Sequence, residues 1–79
     1  MKTVNVTYDC YAIHEGIPVA GETCINIEMM DDLADRLVDR GTSGDVVIKW
    51  IEGIIENAEL LKGRHYIRRS IKCYRYANK

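Results

Sequence analysis

The sequence predicts an α+β fold: a ββααβ two-layer sandwich in which a three-stranded, mainly antiparallel sheet carries two helices on one face. Three observations predict it, namely two alternating stretches near the N-terminus, two helical stretches in the middle, and a third alternating stretch at the end. A length of 79 residues predicts a single domain over residues 1–79. The hydrophobic fraction of 47% and the net charge of −1 argue against a disordered chain.

The first two elements are predicted to form a β-hairpin. Residues 3–14 alternate between polar and apolar side chains, as a half-buried strand does, and residues 21–29 alternate again. Glu15–Pro18 interrupts the alternation, which predicts a loop of several residues. The apolar face comprises Val4, Val6, Tyr8, Cys10 and Ala12 in the first strand and Thr23, Ile25, Ile27 and Met29 in the second.

The hairpin register bears on the cysteines. If the two apolar faces coincide, the numbers of facing residues sum to an odd number such as 35, which places Cys10 opposite Ile25 and Cys24 opposite Tyr11. Cys10 and Cys24 then lie on opposite faces of the sheet and cannot form a disulfide. With Cys73 the chain has three cysteines and no CxxC pair, so we expect reduced thiols, no metal site and a cytoplasmic location.

Two helices should follow the hairpin. Asp31 or Asp32 is the predicted N-cap of the first helix, and Gly41 its end. The second helix is predicted from about Gly44 to Lys62, preceded by a capping box over 42–45. The first helix presents one narrow apolar stripe, formed by Leu33, Ala34, Leu37 and Val38.

The second helix is apolar over an unusually wide arc. At 100° per residue the apolar side runs from Val46 through Trp50 to Ile48, about 200°, whereas packing on one sheet needs only about 100°. The helix should therefore have a second contact. Either the first helix lies beside it, or the surplus forms a dimer or partner surface with Trp50 as its anchor.

The last strand is predicted over residues 64–76. Its alternation places Ile67, Ile71 and Cys73 on the buried face of the sheet. The other face of the sheet should be polar and open. Unbroken, the strand is about 40 Å long against about 28 Å for the second helix, so residues 74–79 should project as an arm or fray. The residues predicted to be exposed are Tyr66, Arg68, Ser70, Lys72, Tyr74 and Tyr76.

Charge is divided along the chain, which bears on the choice of partner. Residues 28–59 carry nine acids against three bases, and residues 60–79 carry seven bases and no acid. An acidic protein-binding surface is one interpretation, and ordinary solvated helix faces or pairing of acids with bases within or between molecules are the others. The predicted protein-binding residues are Asp35, Asp39, Glu52 and Glu56 with Trp50, Ile48 and Ile55.

The basic strand offers an alternative function. Cations interleaved with aromatic rings on an open sheet face suit single-stranded RNA or DNA, whose bases stack on rings and whose phosphates meet Arg and Lys. The opposing interpretation is a solvated strand whose cations protect a sheet edge. The candidate nucleic-acid-binding residues are Tyr66, Arg68, Lys72, Tyr74 and Tyr76.

Catalytic motifs are missing from the sequence. His14 and His65 have no cysteine or carboxylate at ligand spacing, and Ser43 and Ser70 lack a GxSxG context. We therefore expect no enzyme, no cofactor and no membrane segment, although an enzyme subunit that completes a site across a dimer interface stays open. The leading expectation is a non-catalytic protein-interaction or regulatory module, homodimeric, of the inhibitor type that phages and other mobile elements encode.

Overall fold

A computed structural model describes residues 1–41 and 44–77 and has the predicted α+β architecture, with two helices on one face of an antiparallel sheet. The capping box predicted over 42–45 depends on Thr42 and Ser43, which lie outside the described residues. In chain order the elements are β1 (Lys2–His14), β2 (Ile17–Met29), α1 (Asp31–Arg40), α2 (Asp45–Leu61), β3 (His65–Tyr66) and β4 (Cys73–Tyr76).

The β1–β2 hairpin is longer and its turn tighter than predicted. Pairing runs without interruption from Lys2↔Met29 to His14↔Ile17, and only Glu15 and Gly16 form the turn, with φ of 53° and 79°. Positive φ at both central residues is typical of the type I′ turn, whose twist matches that of the two strands. The predicted loop of several residues was therefore wrong: β2 begins immediately after this turn.

The hairpin register keeps the predicted parity but not the predicted sum. Facing residues sum to 31 instead of 35, so Cys10 faces Gly21 and Cys24 faces Thr7. Because the parity is odd, the two cysteines lie on opposite faces as predicted: Cys10 is buried and Cys24 exposed. The shift by four follows from the short turn, which brings the two strands into pairing earlier along the chain.

β1 is the central strand, with β2 on one side and β3 and β4 on the other. Its even-numbered residues face the helices, and those from Val4 to Cys10 are buried, as the alternation predicts. The core consists of Val4, Val6, Tyr8, Cys10, Ile27 and Met29 from the hairpin, Ala34, Leu37, Ile51 and Ile55 from the helices, and Tyr66.

The predicted third strand is divided into two. β3 pairs with β1 at Cys10↔Tyr66, and β4 pairs with β1 further along at Val6↔Tyr74. The numbers of facing residues sum to 76 in β3 and to 80 in β4, so the segment between the two strands contains four residues more than a continuous strand would. Ser70 anchors this excursion, since its hydroxyl accepts a hydrogen bond from the Asp9 backbone N–H at 3.0 Å. Four is an even number, so Tyr66, Tyr74 and Tyr76 stay on one face, as predicted.

That face is the helix side, opposite to the prediction. Tyr66 is buried, and Tyr74 and Tyr76 pack against the core. Acidic side chains of the helices accept hydrogen bonds from the hydroxyls of Tyr66 and Tyr76, which satisfies those polar groups. Cys73, predicted to be buried, faces Thr7 on the open side of the sheet.

The projecting part of the molecule is the hairpin, not the C-terminal strand. Residues 74–77 are half-buried apart from Arg75, so the arm predicted there was wrong for the described residues. β3 ends opposite Tyr11, and beyond it the hairpin extends with β1 and β2 as each other's only partners in the described structure. The apolar side chains of this extension are exposed: Ile13 (55%), Ile17 (65%) and Val19 (55%).

The two helices contact different parts of the sheet. α1 packs mainly on β1 and β4, whereas α2 packs mainly on β3, and the contact between the helices is small. Gly41 ends α1 in the left-handed conformation with φ 74°, as predicted. The predicted N-cap was wrong by one or two positions: Met30 caps α1, and Asp31 and Asp32 lie in its first turn, where carboxylates interact favourably with the helix dipole.

Candidate interaction surface

One face of α2 is uncharged, largely apolar and exposed along the whole helix; we call it the α2 stripe. At 100° per residue its members fall within an arc of about 100°, and none of them is charged. Exposure reaches 83% at Val46, 44% at Trp50 and 90% at Leu61. The stripe comprises Val46, Trp50, Gly53, Asn57, Leu60 and Leu61, all of them exposed. The solvent-facing side of a surface helix is ordinarily polar, so this face is unusual.

Packing fixes the orientation of the stripe. Ile51, Ile55 and Glu59 form the inner line of α2 and are fully buried against the sheet. One flank, with Glu52 and Glu56, turns toward residues 66–69, which they contact. The opposite flank, which carries Val47, Ile54 and Ala58, therefore lies on the β2 side. The stripe faces away from the sheet, and Trp50 lies at its border with the β2-side flank.

The stripe is the surplus of the 200° arc that the sequence displays. Of the two explanations open for that surplus, cover by α1 was wrong, since α1 packs on β1 and β4 and leaves Trp50 exposed. Leu60 and Leu61 were not among the predicted site residues. Their spacing from Trp50 was the available signal, because Leu61 follows Trp50 after three helical turns.

The predicted acidic surface is largely engaged within the molecule. Asp35 accepts hydrogen bonds from Lys2 Nζ at 2.8 Å and from the Tyr76 hydroxyl, and both bonds hold the pKa of this carboxyl below its usual value. Glu52 accepts hydrogen bonds from the Tyr66 hydroxyl at 2.6 Å and the Arg69 backbone N–H at 3.2 Å.

The other predicted protein-binding residues are divided between surface and core. Glu56 forms an ion pair with Arg68 at 3.3 Å, and Asp39 is exposed. Ile55 belongs to the core, and Ile48 lines an open groove between α2 and residues 69–74. The structure thus brings Trp50 to the surface but not Ile55, and it does not place the seven residues on one continuous face.

The basic C-terminal segment meets the acids of the rest of the chain. Lys72 Nζ lies 3.0 Å from Asp9 and 2.7 Å from Glu22, two carboxylates that face each other across the hairpin. These contacts raise the pKa of Lys72, with the hydrogen bond to Glu22 as the largest cause. Arg64 pairs with Glu59 at 2.7 Å. These contacts agree with one interpretation of the uneven charge distribution, namely that the acids and bases pair within the molecule.

The residues proposed for nucleic-acid binding do not form an open surface of rings and cations. Tyr66 is buried, and Tyr74 and Tyr76 pack on the helix side of the sheet. Arg68 is well exposed on the excursion between β3 and β4, and Lys72 is half-exposed between its two carboxylates. The rings and the cations of this set therefore lie on different surfaces.

A buried carboxylate sits beneath the C-terminal end of α2. Glu59 is one of the nine acids of residues 28–59, yet it is fully buried, with its carboxylate 2.6 Å from the Tyr8 hydroxyl and 2.7 Å from Arg64 Nε. Burial alone would raise the pKa of Glu59, but hydrogen bonds from Arg64 and Tyr8 outweigh it and hold the pKa below its usual value. The helical position gave the signal, because Glu59 continues the line of Ile51 and Ile55 in steps of four.

β2 presents a long unpaired edge. Odd-numbered residues of β1 bond toward β3 and β4, as Thr7 O and Asp9 O show by accepting the Lys72 and Ile67 N–H groups. Even-numbered residues of β1 therefore bond to odd-numbered residues of β2, and the even-numbered residues of β2 point their N–H and C=O groups outward. Pro18 occupies one of these outward positions, where its missing N–H disturbs no ladder bond.

Comparison with protein-family models, with curated proteins and with solved structures finds no match for this chain. In the described part of the chain, neither helix has the length and apolar character that crossing a membrane requires. Among the same residues, no group of three or more His, Cys, Asp or Glu side chains is arranged to hold a metal ion.

Proposed function

We propose that this chain is a small, non-catalytic protein-interaction module that works as a homodimer and uses the α2 stripe as its contact surface. The observation that carries the proposal is the exposed stripe without charged residues, in which Trp50 lies near the middle of the helix length. Exposed apolar patches that run the length of an element are characteristic of interaction sites, and Trp is among the residues that contribute most to binding energy. A regulatory or inhibitor role in the cytoplasm is part of the proposal.

The internal ion pairs support this surface over the acidic one. Asp35, Glu52 and Glu56 already have partners in their own chain, so recruiting them for another protein would require breaking those contacts. The α2 stripe needs no such rearrangement. Single-stranded nucleic-acid binding has less support, because Tyr66, Tyr74 and Tyr76 are not available as an exposed stacking platform.

The oligomeric state tests the proposal. Light scattering after size-exclusion chromatography should give a mass of twice 9.0 kDa for the unaltered chain. Trp50→Asp should shift the mass to that of the monomer without unfolding the chain, because the residue is exposed and a charge there opposes burial in an interface. Lys49→Asp, on the polar flank of the same helix, is the matched control and should leave the dimer intact.

A strict monomer at every concentration would contradict the homodimer. A dimer that dissociates equally in the Trp50 and Lys49 variants would contradict the role of the stripe, because a general charge effect would then explain both results.

A further inference from the structure

The outward N–H and C=O groups of β2 form an uninterrupted row between Ala20 and Glu28. Pro18 ends the row at the hairpin side, and Met30 ends it at the start of α1. The row is about 27 Å long at 3.4 Å per residue. Within the described structure β1 is the only partner of β2, so this row has no bonding partner. Unpaired edges of this length are templates for another strand.

The row is symmetric about Cys24, which lies midway between Ala20 and Glu28. If a second copy pairs with it antiparallel about a two-fold axis through Cys24, Glu22 faces Asn26 of the other copy and Ala20 faces Glu28. Every outward group from 20 to 28 then has a partner, and Pro18 falls outside the ladder. Like charges do not meet in this register.

Neighbouring registers are less favourable for identifiable reasons. Moving the axis to Glu22 puts that residue opposite its own copy, and moving it to Ile25 puts Glu22 opposite Glu28, so both bring like charges face to face. Moving it to Thr23 places Pro18 in the ladder opposite Glu28 and leaves that bond unmade. Moving it to Asn26 avoids both faults but leaves Ala20 without a partner, so the register centred on Cys24 is the one that pairs the whole row from 20 to 28 without facing like charges.

The same register places an exposed apolar residue of the hairpin beside the other copy. On the helix side of the sheet, exposed Val19 of one copy comes opposite Met29 of the other, so the bare end of the hairpin extends alongside the other copy's helical layer. The β2-side flanks of the two α2 helices lie on this same side of the joined sheet, with Trp50 at their border. Sheet edge and helix layer therefore contribute to one continuous contact.

We infer that two copies of this chain join through antiparallel β2–β2 pairing centred on Cys24, which forms one sheet across the dimer with the helices on a single face. The inference rests on the proposed homodimer, but it places the main contact at the β2 edge. The α2 stripe then takes part only at its border, through Trp50. The occupant of the β2 edge is thus a second copy of the same chain, since a two-fold rotation about Cys24 gives every outward group from 20 to 28 a partner and brings no like charges together.

Oxidative cross-linking tests the geometry, because facing residues in a hydrogen-bonded antiparallel pair have Cα atoms about 5.5 Å apart, within disulfide range. In a chain carrying Cys10→Ser and Cys73→Ser, mild oxidation should link Cys24 to its counterpart and yield a covalent dimer. The comparison variant adds Cys24→Ser and Asn57→Cys, which moves the thiol to the α2 stripe. Efficient linking at position 24 with little at 57 is the expected result.

The outcomes separate this inference from the proposed function. Dimeric mass with linking at 57 and not at 24 would overturn β2 pairing while leaving a stripe-mediated dimer in place, whereas a monomeric mass would overturn both. Hydrogen exchange on the unaltered chain provides a second measurement that needs no variant. At concentrations where the dimer forms, the amides of Glu22, Cys24 and Asn26 should exchange at least ten-fold more slowly than in the dilute monomer, and unchanged exchange would contradict the pairing.

Discussion

Among single residues, Glu59 has the environment most unlike its type. A carboxylate without contact to water is costly unless ion pairs and hydrogen bonds replace its hydration. Tyr8 from the central strand and Arg64 from the segment after α2 provide them, so the three residues tie the end of α2 to the sheet. The cluster also borders Cys10, whose thiol pKa is raised by burial first and by the charge of Glu59 second.

Replacing Glu59 by Gln should lower the free energy of unfolding by about 1–3 kcal/mol, because a charged hydrogen-bond acceptor is lost while Arg64 keeps its charge. Urea unfolding followed by circular dichroism measures the difference. Glu56→Gln is the matched control on the same helix: its pair with Arg68 is solvent-exposed, so the change should be much smaller. Equal effects of the two substitutions would mean that the buried network contributes nothing of its own.

The pH dependence of stability should reflect the same carboxylate. The pKa of Glu59 is lower in the folded chain than its ordinary value of 4.5, so its contribution is complete above about pH 4.5 and is lost as the pH falls through the folded-state pKa. Asp35 has a lowered pKa as well, through Lys2 and Tyr76. Unfolding free energy measured between pH 7 and 2 should therefore decline in acid.

The Glu59→Gln variant isolates the contribution of Glu59 to that decline. Its stability should fall less steeply below pH 4.5 than that of the unaltered chain, with the remaining slope due to Asp35 and other carboxyls. Parallel pH profiles would refute the assignment.

Among the elements, the hairpin shows which structural features the alternation of polar and apolar residues can predict by itself. Alternation identified both faces of β1 and β2 correctly, because burial on one side of a sheet imposes a period of two. The register depended on the turn, and Glu15-Gly16 is a less obvious type I′ sequence than Asn-Gly, so the turn appeared longer than it is. Pro18 reinforced that error, since an outward-facing position on an edge strand tolerates Pro.

The turn itself can be tested by substitution. Glu15 has φ of 53°, a conformation that Asn adopts more readily, so Glu15→Asn should raise the unfolding free energy by about 0.5 kcal/mol. Gly16→Ala should lower it by about 1 kcal/mol, because φ of 79° is strained for any residue with a Cβ atom. Both are read from urea unfolding, and effects of the opposite sign would exclude a type I′ turn.

The third strand shows where pattern reasoning is insufficient. Alternation grouped Tyr66, Tyr74 and Tyr76 correctly, but both possible inner faces contained large apolar groups, and composition favoured the one with Ile67 and Ile71. What decided the face was the position of acceptors on the helices, since Glu52 and Asp35 accept hydrogen bonds from two of the tyrosines. Such contacts between distant residues are invisible to any local window. The wide apolar arc of α2 was visible locally, and that is why Trp50 was identified.

For the whole molecule, the separation of charge along the chain becomes proximity in space. The basic final segment folds back across the hairpin and α2 and pairs with Asp9, Glu22, Glu56 and Glu59, so bases and acids that are separate in the sequence are adjacent in the fold. Charge segregation in sequence therefore reports here on chain folding more than on an external partner. The two-layer architecture could be predicted because it depends on periodicity, whereas this pairing depends on tertiary placement.

The two borders of the sheet differ in a way that sets stoichiometry. On the β3–β4 side the strands are short, the chain leaves the ladder between them, Arg69 adopts φ of 63°, and the Arg68 side chain is exposed. Such a border cannot template a further strand. The proposed pairing through β2 would use the one long unpaired border that the described residues form, and would leave no such border for a third copy. A chain with two such borders would polymerise into filaments, whereas growth through β2 alone would stop at two.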